Sequence, residues 1–190
     1  MSARSERARQ AQREADPHHW CWRRAPRPGG PAVVLDLDGV LADARGRQHF
    51  LNGPGRKDWR SFFDAAGDDP VIEEVARLLE LLDRDLSIVL LTARPMRIRP
   101  LTEDWLVRND VDWDLLVMRP DRDFGPSVDF KRRTARHLKE VGFELRLAFE
   151  DDRRNVDMFH EEGVPCVYLH SGYYEDYEEP QGRAGTLNTS

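Results

Sequence analysis

The chain has 190 residues, of which 39% are hydrophobic and 34% are charged. This length suits one domain with a proper core and polar ends, and no apolar run approaches the roughly 20 residues that span a membrane. The Arg-rich residues 1–12 lack the apolar segment of a secretory signal. Cys21 and Cys166 are too few for a disulfide scaffold and lack zinc-site spacing. We therefore expect a cytoplasmic protein without a membrane partner.

The net charge of −6 is unevenly distributed. Residues 1–30 carry seven arginines against three acidic residues, whereas the remainder is strongly acidic. We interpret residues 1–30 as a basic, disordered tail, and attraction of this arm to a polyanion is the alternative. Residues 31–171 are predicted to form the folded domain, and residues 172–190 an acidic, polar tail.

Strands and helices are predicted to alternate after the Pro- and Gly-rich residues 26–31. The predicted strands cover residues 32–35, 86–91, 115–118, 145–149 and 166–169. The predicted helices cover about residues 71–82, 97–108, 128–141 and 156–162. Alternation of this kind is typical of a parallel sheet with helices on both faces. The sequence therefore predicts a Rossmann-like α/β fold.

Two carboxylates, Asp36 and Asp38, directly follow the first buried strand. Ligands of open α/β sheets bind beyond the carboxyl ends of the strands, so this pair is a candidate for chemistry. Taken alone, it also fits a turn or the D-x-D of a sugar transferase. A calcium loop is excluded, because Val40 and Leu41 stand where an oxygen ligand and a glycine are required.

Other reactive side chains follow the later strands or open the next helix. They are Thr92-Ala93-Arg94, Lys131 and Glu150-Asp151-Asp152. A carboxylate can attack phosphorus, and a divalent cation held by carboxylates neutralises the phosphate that it approaches. Hydroxyl, backbone N–H and ammonium groups can hold the remaining phosphoryl oxygens. This order of groups predicts a phosphoryl-transfer site.

The sequence contains, in order, an Asp-x-Asp, a Thr, a Lys and an acidic pair, each at a strand end or a helix start. This order resembles the haloacid dehalogenase superfamily of phosphohydrolases over about residues 32–169. The resemblance implies that Asp36 is the nucleophile and Asp38 the general acid/base. It also implies that Thr92 and Lys131 hold the phosphoryl group.

The same resemblance implies Mg²⁺ as the cofactor. Its expected ligands are Asp36, the backbone carbonyl of Asp38, and Asp151, with Asp152 bridged through water. Residues 42–70 are too short for a large cap domain, so we expect a minimal cap and an open site. The arginines that could grip the phosphates of a polymer there are Arg94, Arg97, Arg99, Arg119 and Arg122, and surface ion pairs are the alternative for each.

Several stretches further resemble the 3′-phosphatase domain of phage-type polynucleotide kinase-phosphatase. They are residues 36–41, 57–59, 92–94, 150–153 and 158–166. This likeness implies a nucleic-acid repair phosphatase acting on polynucleotide 3′-phosphate ends, with Arg94 and Arg153 binding substrate phosphates. Residues 53–58 do not fit the phosphate loop of a kinase, so we expect a free-standing phosphatase.

Other functions remain open from the sequence. A nucleotidase or general small-molecule phosphatase is the first alternative, since the aromatic and basic residues 47–63 could form a flap that stacks one base. The same residues could instead form a hydrophobic plug around Trp59, Phe62 and Phe63. A phosphoacceptor signalling domain has the opposite motif order, and a non-catalytic end-binding module would not need the intact Asp36 and Lys131.

Overall fold

The fold of this computed structural model is built on one sheet of six strands among the residues that the structure describes, 16–24, 29–52 and 55–174. The strands are β1 (Trp20–Trp22), β2 (Gly30–Leu35), β3 (Ser87–Pro95), β4 (Leu115–Arg119), β5 (Phe143–Glu150) and β6 (Cys166–Tyr168). They lie in the order β1-β4-β3-β2-β5-β6, and all neighbours are parallel except β1 and β4. The carboxyl ends of β2, β3 and β5 therefore meet at one edge.

Helices cover both faces of this sheet. They are α1 (Trp59–Asp64), α2 (Glu73–Leu81), α3 (Arg99–Arg108), α4 (Ser127–Glu140) and α5 (Arg153–Glu161). Side chains of α2 and α3 pack in one core, and those of α4 and α5 pack in the other. Successive residues of a strand point to opposite faces, so Leu35 joins the first core and Val34 the second. The predicted Rossmann-like α/β fold is confirmed.

The predicted strands and helices are present, with ends shifted by a few residues. The largest extension is in β3, which continues to Pro95 because the Thr92-Ala93-Arg94 segment stays extended. No helix in the described ranges is long and apolar enough to cross a bilayer.

The structure departs from the predicted N-terminal tail at β1. This strand pairs antiparallel with β4 and buries Trp20 and Cys21. Covering the edge of β4 removes apolar side chains from water and satisfies backbone groups, which a basic composition does not reveal. Residues 1–15, 25–28 and 175–190 of the predicted tails lie outside the described residues. The first part of the C-terminal segment is described, and the Tyr173 hydroxyl donates to Asp43 Oδ1 at 2.8 Å.

Residues 43–70, here called the insert, leave the sheet after the turn that follows β2. The base of the insert is closed by two backbone hydrogen bonds of 2.8 Å, from Asp43 N–H to the Pro70 carbonyl and from Ile72 N–H to the Leu41 carbonyl. The insert contains α1 and two 3₁₀ turns, Ala44–Phe50 and Ala66–Asp68. It therefore stands beside the carboxyl end of β2 as a small helical cap.

Candidate active site

The turn after β2 determines where Asp36 and Asp38 lie. The Leu37 carbonyl accepts hydrogen bonds from the N–H groups of Val40, Leu41 and Ala42 at 3.2, 2.9 and 2.8 Å. Gly39 within this turn has φ +82°, and a Cβ on it would lie 1.9 Å from Asp151 Oδ2. Only glycine combines this backbone conformation with such a close approach. The turn thus brings the β2 and β5 loops together.

Four buried charged residues at the ends of β2 and β5 and on α4 form what we call the acid centre: Asp36, Lys131, Glu150 and Asp151. Lys131 Nζ lies 2.7 Å from Asp36 Oδ2 and donates to Glu150 Oε1 at 2.5 Å. Burial favours the neutral amine of Lys131, but the charges of Asp36 and Glu150 outweigh it and raise the pKa of Lys131. Lys131 therefore stays cationic.

Carboxylates outnumber cations in the acid centre. Carboxylate oxygens of Asp36, Glu150 and Asp151 all lie within 4.8 Å of one another. Burial, and then the charge of Asp36, raise the pKa of Asp151 to about 8, and the Ser171 side chain partly opposes this rise. Neither buried oxygen of Asp151 has a hydrogen-bond partner within the described part of the chain. Buried carboxylates without a donor suit a hard divalent cation, so these residues fit a metal site.

A second group, which we call the arginine centre, surrounds Asp38 and comprises Asp38, Arg47, Asp69 and Arg94. Asp38 Oδ1 accepts from Arg94 Nε at 2.9 Å, from Arg94 Nη2 at 2.6 Å and from Arg47 Nη2 at 2.5 Å. Arg47 also binds both oxygens of Asp69, at 2.9 Å from Nε to Oδ1 and 2.7 Å from Nη2 to Oδ2. Burial opposes ionisation of Asp38, but Arg94 and Arg47 outweigh it and hold the pKa of Asp38 below its usual value.

The end of β3 places Arg94 in the arginine centre, with Thr92 two residues before it. In the pairing of β3 with β4, Thr92 is opposite Met118 and Pro95 is opposite Arg119, so two additional residues bulge from β3. The Thr92 hydroxyl accepts from the N–H of Arg94 at 3.2 Å. Arg94 is fully buried, and its Nη1 lacks a hydrogen-bond partner among the described residues. This nitrogen can therefore donate to an anion.

The sequence-predicted residues on α5 lie beside the acid centre. Asp152 caps α5 by accepting from the N–H of Arg154 at 3.0 Å, and it also pairs with the Arg154 side chain at 2.8 Å. The guanidinium of Arg153 lies 4.4 Å from the centroid of the Tyr168 ring. The three carboxylates that lie close together are those of Asp36, Glu150 and Asp151. The sequence predicted Asp152 as a metal contact and not Glu150, so a contact by Asp152 stays a prediction.

Three of the arginines that were proposed to bind the phosphates of a polymer have other partners in the fold. Arg97 pairs with Asp64, Arg99 binds Glu103 at 2.9 Å, and Arg119 donates to the Gly125 carbonyl at 3.0 Å. The two ion pairs favour the surface-pair alternative for Arg97 and Arg99, whereas Arg119 binds a backbone carbonyl.

Sequence reasoning missed four residues that organise the site. Arg47 and Asp69 come from opposite ends of the insert, and Trp105 Nε1 fixes the Asp69 carbonyl at 2.7 Å. Asn155, in the first turn of α5, donates to Glu150 Oε2 at 3.1 Å. An arginine and an aspartate 22 residues apart give no periodic signal, so only the folded insert identifies them.

Comparison with known proteins first defines the class. The fold is shared with the haloacid dehalogenase-like hydrolase SP0104 from Streptococcus pneumoniae, at 16% identity and a TM-score of 0.51 over 77% of this chain and 91% of that chain. Together with the family match that follows, the fold and the site make this protein a phosphatase of the haloacid dehalogenase type.

The family follows from a direct match. Residues 30–174 match the family described as the polynucleotide kinase PNKP phosphatase domain, and the chain belongs to this family. A solved chain of the Pnkp1/Rnl/Hen1 complex is 26% identical, with a TM-score of 0.60 over 76% of this chain and 47% of that chain. A chain of the Pnkp1/Rnl/Hen1 RNA repair complex is 24% identical, with a TM-score of 0.60 over 84% and 52%. The present chain thus spans about half the length of these two.

Proposed function

We propose that this protein removes the phosphate from 3′-phosphorylated polynucleotide ends, with Mg²⁺ at the acid centre and an aspartyl phosphate as intermediate. One observation carries the proposal: two aspartates only two residues apart lie in opposite electrostatic surroundings. Asp36 belongs to a group with excess carboxylates, and Asp38 is held by two guanidinium groups. Paired carboxylates in different surroundings can take different chemical roles.

Asp36 is suited to act as the nucleophile because both of its oxygens are held. Oδ1 accepts from the Leu37 N–H at 2.7 Å, and Oδ2 lies 2.7 Å from Lys131 Nζ. A carboxylate oxygen of Asp36 attacks phosphorus and the bond to the 3′ oxygen breaks, which leaves the phosphoryl group on Asp36. Water then attacks this phosphorus, which frees inorganic phosphate and restores the Asp36 carboxylate.

Asp38 is suited to move the protons of both steps. Its hydrogen bonds to Arg47 and Arg94 go to Oδ1, so Oδ2 is the oxygen that exchanges a proton. In the free protein the two arginines keep Asp38 ionised. A phosphate dianion competes for the same guanidinium groups and so raises the pKa of Asp38 when substrate binds. Protonated Asp38 then donates to the departing 3′ oxygen and afterwards accepts the proton of the attacking water.

Asp36, Glu150 and Asp151 are the side chains that would hold Mg²⁺. The bound cation supplies positive charge that offsets repulsion between these carboxylates and the phosphate. The single positive charge of Lys131 does not balance the negative charges of the three carboxylates.

The choice of a polynucleotide end is supported by the family and by the 26% identical chain of the Pnkp1/Rnl/Hen1 complex. It also rests on the arginine centre, because guanidinium groups bind phosphate oxygens bidentately. A nucleotidase remains the rival within the same chemistry.

Direct assay tests this proposal. We expect Mg²⁺-dependent phosphate release from a 3′-phosphorylated oligonucleotide, at a higher kcat/KM than from a 5′-phosphorylated oligonucleotide or a mononucleotide. Preference for the mononucleotide would indicate that the protein is a nucleotidase and not a polynucleotide phosphatase.

Asp36→Asn tests the nucleophile separately. This variant should lose roughly 10⁴-fold or more of kcat and keep the far-ultraviolet circular dichroism of the native protein. Retention of full activity by Asp36→Asn would rule out the aspartyl-phosphate mechanism.

A further inference from the structure

An exposed tryptophan on the insert, Trp59, has no role in the chemistry described above. It is the first residue of α1, a helix that Asp58 caps by accepting from the Ser61 N–H at 3.0 Å. The Trp59 side chain is 49% exposed, whereas the other four tryptophans are buried or half-buried. Its indole is therefore accessible to a ligand.

The aromatic residues of the insert divide into two parts. Phe62 is 5% exposed and forms the plug considered from the sequence, while Phe63 packs against the core from the side. Trp59 contacts both rings from outside, stacked on Phe63 at 5.9 Å between centroids and edge-to-face with Phe62 at 5.7 Å. Packing against Phe62 and Phe63 therefore fixes one side of the Trp59 indole, and the rest of its surface is exposed to water.

A continuous series of contacts connects this indole to the arginine centre. The Arg47 guanidinium lies 4.1 Å from the centroid of the Phe62 ring and donates to the Phe62 carbonyl at 3.3 Å. Arg47 in turn binds Asp38 at 2.5 Å. Trp59 is thus held at a defined position relative to the phosphate-binding groups, which a side chain on a free loop would not be.

Two exposed basic residues, Lys57 and Arg60, lie near Trp59 in the chain. Lys57 Nζ lies 5.9 Å from the centroid of the Trp59 ring, and no carboxylate lies within ion-pair distance of it in the described ranges. Arg60, which directly follows Trp59 in α1, is 87% exposed and lies 3.8 Å from Asp64 in a loose ion pair. An aromatic face flanked by exposed cations matches the base and backbone of a single-stranded nucleic acid.

We infer that Trp59 is the stacking platform for the base of the nucleotide that carries the scissile phosphate. Lys57 provides positive charge for the phosphate on its 5′ side. This inference rests on the proposed function, since it assumes that the substrate at Asp36 belongs to a nucleotide. Trp59 is a specificity residue and not a catalytic one, because it touches the base and not the reacting atoms.

The experiment pairs a change in the protein with a change in the substrate. Two 3′-phosphorylated oligonucleotides are compared, one complete and one with an abasic terminal nucleotide, with the native protein and with Trp59→Ala and Trp59→Phe. Stacking on an aromatic side chain typically contributes about 1–3 kcal/mol per base, so the native protein should show a KM roughly five- to 150-fold lower for the complete substrate. In Trp59→Ala this ratio should fall toward one, and in Trp59→Phe most of it should remain.

Leu81→Ala is the matched control, because Leu81 is also a large exposed apolar side chain on a helix, 77% exposed, and belongs to α2 outside the insert. It should keep the native ratio. An unchanged ratio in Trp59→Ala would overturn the inference. An equal increase of KM for both substrates would also overturn it, since that result indicates loss of insert structure and not of stacking.

Failure of the proposed function has a different signature. If the native protein prefers mononucleotides, the same comparison is made between a nucleoside monophosphate and the corresponding ribose phosphate. A ratio that still depends on Trp59 then supports the platform while rejecting the polynucleotide substrate. A ratio close to one for the native protein in both substrate pairs rejects the platform itself.

Discussion

The acid centre and the arginine centre lie side by side, yet they are built in opposite ways. In the acid centre three carboxylates face one ammonium group, and the residues come from β2, α4 and the end of β5. In the arginine centre two carboxylates face two guanidinium groups, and two of the four residues come from the insert. The first is short of positive charge, whereas the second is balanced until an anion arrives.

This difference separates the tasks of the two aspartates. Asp36 needs a cation to bring a phosphate dianion close, and its surroundings provide a place for one. Asp38 needs its proton affinity to change during the reaction, and its surroundings consist of groups that a phosphate can draw away. Changes to single residues should therefore affect the two centres differently.

The largest effect is expected from Lys131→Met, which leaves Asp36 and Glu150 buried without their cation. We expect loss of activity and a decrease of about 3–5 kcal/mol in the free energy of unfolding, measured by urea denaturation of metal-free protein. Lys131→Met combined with Glu150→Gln should recover part of this loss. The equivalent change Arg47→Met should cost less stability, because Arg94 still faces Asp38 and Asp69; equal losses would remove the distinction between the centres.

Arg47→Lys tests whether the arginine centre needs a planar guanidinium. Lysine keeps the charge but cannot contact Asp38 and both oxygens of Asp69 together, so kcat/KM should decrease roughly ten- to a hundred-fold. Arg45→Lys is the matched control in the same 3₁₀ turn, since Arg45 is 80% exposed. A similar decrease in both variants would indicate a general effect on the turn.

Gly39→Ala tests the close approach of the β2 turn to the acid centre. The added Cβ would meet Asp151 Oδ2 at 1.9 Å in a backbone with φ +82°. We expect a stability loss of about 1–3 kcal/mol and weaker Mg²⁺ binding by isothermal titration calorimetry. Gly163→Ala has comparable φ, +72°, with nothing within 4 Å of the added Cβ. It should lose some stability but bind Mg²⁺ normally, and weaker binding in that control would contradict the assignment.

The smallest effect is a pH dependence of stability in the acid centre. Without metal the pKa of Asp151 is raised to about 8, so between about pH 4 and pH 8 the folded protein holds a proton that the unfolded chain has lost. The Tm in a chelator should therefore decrease as the pH rises from 6 to 8.

Added Mg²⁺ should reverse or flatten this trend, because binding needs the ionised carboxylate. Asp151→Asn should weaken the trend in the chelator without abolishing it, because burial raises the pKa values of Asp36 and Glu150 as well. An unchanged slope in Asp151→Asn would assign the titration to another residue.

Much of the fold could be predicted because its strands are buried on both faces. The apolar run at residues 32–35 and the helical spacing of Val75 and Leu79 follow from burial, and burial leaves a periodic mark on the sequence. The strand β1 could not be predicted, since three residues next to a basic segment carry too short a pattern.

The residues of the acid centre could largely be proposed from the order of motifs. Asp36, Lys131 and Asp151 each stand at a strand end or a helix start, and parallel strands bring such ends to one edge. The arginine centre could be proposed only for Asp38 and Arg94. Arg47 and Asp69 depend on how the insert folds back, and Trp59 differs from Phe62 only in which side of α1 meets the core.

The sequence by itself determined the α/β fold and the presence of phosphoryl-transfer groups, because both depend on local patterns and on where strands end. Tertiary structure alone decided which carboxylates share a cation, which arginines hold Asp38, and which aromatic ring of the insert stays in water. Those properties depend on distances between residues far apart in the chain, and charge interaction and burial are set by such distances.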